Sequence, residues 1–72
     1  MIVRSQDSRA IYDLTKMNSV FANEEGLVYA LSYTGELAYP LGKYDTEERA
    51  KEVVEEIYAL FDSQSRYDLP IV

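Results

Sequence analysis

Asp45-Thr46-Glu47-Glu48-Arg49-Ala50-Lys51-Glu52-Val53-Val54-Glu55-Glu56-Ile57-Tyr58-Ala59-Leu60-Phe61-Asp62 is the stretch whose reading decides the fold. Ala50, Val53, Val54, Ile57, Leu60 and Phe61 recur at helical spacing and form one stripe, while Glu47, Glu48, Lys51, Glu52, Glu55 and Glu56 face the other way. The pattern predicts an amphipathic helix over residues 46–62. Asp45 is placed to accept from the N–H groups of the first turn, with Glu48 three residues on as a capping box requires. Asp62-Ser63-Gln64-Ser65 breaks the stripe, and Pro70 forbids helix through Leu69.

Before this helix the period changes. From residue 1 to 43 apolar residues alternate or come in short runs, broken by Asp7-Ser8, Met17-Asn18-Ser19, Asn23-Glu24-Glu25-Gly26 and Thr34-Gly35. Such a pattern predicts short strands and tight turns: Ile2 to Arg4, Ala10 to Leu14, Ser19 to Ala22, and a hairpin from Gly26 to Leu41. Two hairpin registers compete. A two-residue Thr34-Gly35 turn sets Ser32 opposite Leu37 and mixes large side chains between faces. A three-residue Tyr33-Thr34-Gly35 loop with left-handed Gly35 puts Leu27, Tyr29, Leu31, Leu37, Tyr39 and Leu41 on one face, and is preferred because it gathers the large residues. The smaller face, Val28, Ala30, Ser32, Glu36, Ala38 and Pro40, is then expected to be the solvated one. The expected whole is an α+β domain over residues 1–72: a β-meander over 1–43 of four or five antiparallel strands, one C-terminal helix packed on one face, and a tail over 63–72.

Composition narrows the function. The 72 residues hold seven Lys plus Arg against thirteen Asp plus Glu, a net charge of −6, with no Cys and no His. No disulfide or thiolate is available, and the commonest metal ligand and neutral-pH base are missing. Glu48 with Glu52, or Glu52 with Glu56, lies at i, i+4 spacing that suits a hard cation, but the same spacing occurs on any acidic helix. Acid–base use needs burial to split the carboxyl pKa values, and the periodicity turns these residues outward. No Gly-rich phosphate cradle is present, so the reading is of a protein that is not an enzyme and holds no cofactor or metal. The longest apolar run, Gly26 to Leu31, is far below the roughly 20 residues of a membrane span, and Arg4-Ser5-Gln6-Asp7 interrupts any targeting segment at the start. The expectation is a cytoplasmic protein without membrane contact.

Five of the six net negative charges fall in residues 44–72. An acidic helix face through Glu52, Glu55 and Glu56 can dock a basic partner or imitate nucleic-acid phosphates; a solvated face, with Lys51 pairing to Glu47, is the plainer reading. Seven Tyr are spread along the chain, most expected in the core or its rim, with Tyr33 and Tyr67 exposed. Four basic residues precede the helix, too few for the positive groove that single-stranded nucleic acid requires, so nucleic acid is not an expected partner. The tail Tyr67-Asp68-Leu69-Pro70-Ile71-Val72 is apolar, and Leu69 and Ile71 are expected to add to a sheet edge or to pack on a neighbouring subunit. The functional expectation is a small interaction or assembly protein forming a homo-oligomer, a dimer in the first instance, with an acidic inhibitor as the alternative.

Met1-Ile2-Val3-Arg4-Ser5-Gln6-Asp7, Leu41-Gly42-Lys43-Tyr44-Asp45-Thr46-Glu47-Glu48-Arg49-Ala50 and Leu69-Pro70 resemble a group of small uncharacterised proteins of Firmicutes and their phages. The resemblance rests on structural segments, a first strand, a strand-to-helix corner and a tail, and transfers no catalytic residue. It implies a bacterial or prophage protein of unknown function.

Overall fold

The computed structural model describes residues 1–72. Six strands, β1 (Ile2–Arg4), β2 (Ile11–Asp13), β3 (Ser19–Ala22), β4 (Leu27–Leu31), β5 (Ala38–Lys43) and β6 (Arg66–Asp68), accompany one helix, α1 (Glu47–Leu60), and a 3₁₀ turn at Leu14–Lys16. The α+β class and the single amphipathic helix agree with the expectation. The single meander of four or five strands does not: the strands form two three-stranded sheets, ordered β2-β1-β6 and β3-β4-β5. In the first sheet β6 runs parallel to β1, which a chain returning from a helix on the far side of the core can do and a meander cannot.

Helix α1 starts one residue later than the capping-box reading placed it. Thr46, in extended conformation, is the N-cap, and its hydroxyl accepts from Arg49 N at 3.0 Å. Glu47 and Glu48 then occupy the first turn, at the positive end of the helix dipole. Ala50, Val53 and Ile57 are buried, Val54 and Leu60 are half-buried, and Phe61 lies at the rim.

The face of the β3-β4-β5 sheet that receives α1 is the one expected to be solvated. Val28 and Ala30 are fully buried, together with Ala50 and Val53 of the helix. Ser32 N donates to Leu37 O at 2.8 Å, and Ala30 pairs with Tyr39 and Leu31 with Ala38, which is the register set aside above. The serine decides it. Ser32 O accepts from Gly35 N at 2.8 Å while Ser32 Oγ accepts from Leu37 N at 3.1 Å, so one residue closes both the turn and the hairpin. Gly35 is left-handed as expected, with φ +80°. A bulge then shifts the pairing between Val28 and Tyr29, leaving Leu41 unopposed, and Leu41 turns into the core at 1% exposure.

The other sheet contributes Val3 and Tyr67 to the same core, and its Tyr12 packs on Tyr39 with ring centroids 5.7 Å apart. Gln6 joins the two sheets: its N–H donates to Leu41 O at 2.7 Å and its Oε1 accepts from Lys43 N at 2.8 Å.

Two glycines with positive φ separate steric from conformational demand. At Gly26 (φ +87°) a Cβ would fall on the Tyr44 carbonyl, whereas at Gly35 it meets open space. Gly35→Ala should therefore cost about 1 kcal/mol, the left-handed strain alone. Gly26→Ala should cost at least about 2 kcal/mol more, because the Gly26–Tyr44 backbone pairing must move. Urea melts of the two variants check this ordering. Ile57→Asp places a charge where 5% of the residue is exposed. It should remove about 4 kcal/mol or more, enough to unfold a domain of this size, and a cooperative melt near the wild-type temperature would show that α1 is not docked through Ile57.

Candidate interaction surfaces

Three of the residues singled out from the sequence lie together on the outer side of α1: Glu52, Glu55 and Glu56 are all exposed. Glu52 pairs with Arg49 at 3.2 Å, a pair with 68% of the Glu52 side chain in solvent, so it contributes well under 1 kcal/mol. Lys51 makes no ion pair with Glu47; the helix has only the Arg49–Glu52 pair. Tyr33 stands at the hairpin tip, 80% exposed, and Ile71 is equally exposed beyond the last strand. Tyr33 stands apart at the hairpin tip, whereas the end of the tail next to Ile71 reaches the helix, since Arg49 bonds both to Glu52 and to the main chain of Val72.

Tyr67 and Leu69 are not surface residues. Parallel pairing of β6 with β1 sets Tyr67 opposite Val3 on the inner face, and Leu69 lies against Gly42, leaving the two 8% and 4% exposed. The tail does add to a sheet edge, as one of its two expected fates. Beyond β6 it is tied down by Leu69 N to Arg4 O (3.1 Å), Gln6 Nε2 to Ile71 O (2.7 Å) and Tyr44 Oη to Pro70 O (2.8 Å). Arg49 Nη2 donates to the main-chain oxygen of Val72 at 3.0 Å.

The Tyr67 hydroxyl is buried without a hydrogen-bond partner. Burial raises its pKa above the usual phenol value, and the Glu56 carboxylate close by raises it further. Burial also raises Tyr44, whose hydroxyl does have a partner in Pro70 O. No cluster of three acidic, His or Cys groups is placed to hold a metal ion, and no helix is long and apolar enough to cross a membrane.

The surface that sequence reasoning missed is the side of the β3-β4-β5 sheet away from α1. Phe21, Leu27, Tyr29, Leu31, Ala38, Pro40 and Lys43 project from it; the four large apolar side chains are half-buried, and Leu27 and Pro40 border a hollow shared with Gln6, Arg9 and Tyr12. Phe21 and Tyr29 pair across β3 and β4 with ring centroids 4.0 Å apart, so each shields the other, and both are half-buried. Leu37, 57% exposed, extends the patch at the hairpin end. None of the thirteen carboxylates projects from the strands of this face. A second hollow of about 610 Å³ runs between β3 and the second half of α1, lined by Leu14, Met17, Val20, Val54, Tyr58 and Phe61 among others. Tyr58 is 80% exposed on its rim.

These features define a small α+β protein with one helix and two three-stranded sheets, and with apolar residues outside the core at several places on its surface. No known family model, no curated protein and no solved structure matches the chain.

The buried phenols predict an alkaline limit to stability. With folded pKa values raised above the unfolded value near 10, the folded chain keeps protons that the unfolded chain releases. Their contribution is complete below about pH 10 and declines as pH rises above it. Denaturant melts at pH 9 and pH 11 should show a fall in midpoint that shrinks in the Tyr44→Phe, Tyr67→Phe double variant. At pH 7, Tyr67→Phe should leave stability unchanged or raise it by up to about 1 kcal/mol, because it removes an unpaired buried hydroxyl. Tyr44→Phe should lose about 1 kcal/mol with its hydrogen bond.

Proposed function

We propose that this protein is a non-enzymatic interaction and assembly module that associates with itself through the outer face of the β3-β4-β5 sheet. The observation that supports the reading is the half-exposed apolar face centred on the Phe21–Tyr29 pair, an aromatic pair of the kind enriched at protein interfaces. Charge favours a second copy as the occupant. A chain of net charge −6 repels itself, yet this face carries no carboxylate on its strands, and the glutamate-rich helix lies on the opposite side of the sheet. Two copies meeting face to face keep their acidic helices as far apart as the fold allows.

The area sets the strength. Three strands about 4.8 Å apart and about 17 Å long span about 250 Å². That is well below the roughly 800 Å² per partner of a standard interface, so the dimer is a weak one that forms with rising concentration.

Light scattering across a concentration series should show mass climbing from the 8.3 kDa monomer toward twice that value. Tyr29→Glu, which places a carboxylate in the centre of the face, should hold the protein monomeric while costing about 1 kcal/mol of stability with the lost Phe21 pair and keeping a cooperative melt. A wild-type chain that stays monomeric at millimolar concentration would refute self-association. A Tyr29→Glu variant that dimerises as well as wild type would place the contact elsewhere.

A further inference from the structure

Strand β3 is the open edge of its sheet, and its neighbours show how differently the other edge is treated. On β5, Pro40 lacks an N–H, while Gln6 occupies Leu41 O and Lys43 N through its own backbone and side chain. On β3 the segment Ser19-Val20-Phe21-Ala22 has no charge, no proline and no bulge. The bond from Asn23 N to Leu27 O sets the phase of the β3–β4 ladder. Phe21 therefore bonds to Tyr29, and Val20 and Ala22 direct their N–H and C=O groups to the open side.

Beside this edge lies the 610 Å³ hollow under Val54, Tyr58 and Phe61, and Val54 also borders a smaller one where Phe21 and Ala22 meet Glu47, Lys51 and Glu55. Asp62 stands at the other end. The helix flank beside the edge thus offers Glu47, Glu55 and Asp62 against the single cation Lys51. A second copy pairing β3 with β3 about a two-fold axis would bring those same carboxylates against each other, so the flank excludes self-pairing while admitting a cationic strand.

We propose that the open edge of β3 receives an extended segment of a protein partner as an added strand, whose α1-facing side chains, at every second position, place an apolar residue in the groove between β3 and α1 and Lys or Arg against Glu47, Glu55 and Asp62. Main-chain bonds to Val20 and Ala22 provide the attachment, and the groove and the acids provide the selection. The site is separate from the outer sheet face and stands whether or not that face dimerises.

The Tyr29→Glu variant, chosen so that self-association cannot contribute, is titrated with acetyl-TKTVTKT-amide, whose lysines and central valine share one face of an extended strand, while backbone amide signals are followed by NMR. Shifts should concentrate at Ser19–Ala22 and along Val54 to Asp62. Acetyl-TETVTET-amide should bind at least about tenfold more weakly, and Glu47→Lys with Glu55→Lys should reverse that preference. N-methylation of alternate peptide amides, on the set that faces β3, should also weaken binding at least about tenfold, since it removes the ladder and keeps the charge. Absence of binding by the lysine peptide, equal binding of its N-methylated form, or shifts confined to Glu48, Glu52 and Glu56 would each overturn the proposal. So would dilution-dependent shifts at Ser19–Ala22 without peptide, which would mean that a second copy takes the edge.

Discussion

Close docking of α1 on the β3-β4-β5 sheet governs the rest of the structure. A helix approaches a sheet closely only where both surfaces are lined by small side chains, and here fully buried Val28 and Ala30 meet equally buried Ala50 and Val53. Each Val or Ile so buried contributes about 1.5–3 kcal/mol, and the fit leaves no space for a Tyr or Leu on that side of β4. The alternation of the strand does the remainder. With Val28 and Ala30 inward, Leu27, Tyr29 and Leu31 are outward by geometry, and β3 follows with Phe21. The aromatic outer face is thus the necessary reverse of the small-residue inner face.

That trade explains which parts of the fold were legible. The helix was readable because six apolar residues repeat at 3.6-residue spacing with charges between them, and no tertiary contact competes with that signal. Strands β1 and β3 were readable to the residue from short apolar runs bounded by turn formers. The hairpin register was not, because it was argued from size, on the premise that the larger face is the buried one. A helix reverses that premise by selecting the smaller face. Two local devices complete the reversal: the double use of Ser32 at the turn and the bulge that turns Leu41 inward. Nothing in their local patterning announces either.

Tyr67 is buried against expectation for a different reason, while Leu69 takes the sheet-edge fate, one of the two expected of it. Their burial depends on β6 meeting β1 across more than sixty residues of chain, with Val3 opposite Tyr67. No periodicity in Arg66-Tyr67-Asp68 signals a parallel partner at the other end of the sequence. Ser63 and its neighbours correctly marked a helix stop, after which the apolar tail looked like surface in search of a partner. The partner is the chain itself, through Arg4, Gln6, Tyr44 and Arg49. The acidic helix face, by contrast, was placed correctly by pattern alone, since exposure of a charged stripe follows from burial of the opposite one.

Strand β3 carries both proposed surfaces, its side chain Phe21 on the outer face and its outward N–H and C=O groups at the edge. A strand added at that edge becomes the fourth in the sheet and widens the outer face by one strand spacing, about 4.8 Å. More of a second copy's face then has something to lie against. On these two proposals, edge binding and association through the face are coupled, and linkage makes the coupling reciprocal: whatever factor the proposed strand adds to self-association, self-association adds to the affinity for that strand. The small inner face, chosen by the helix, is what puts both proposed surfaces on one strand.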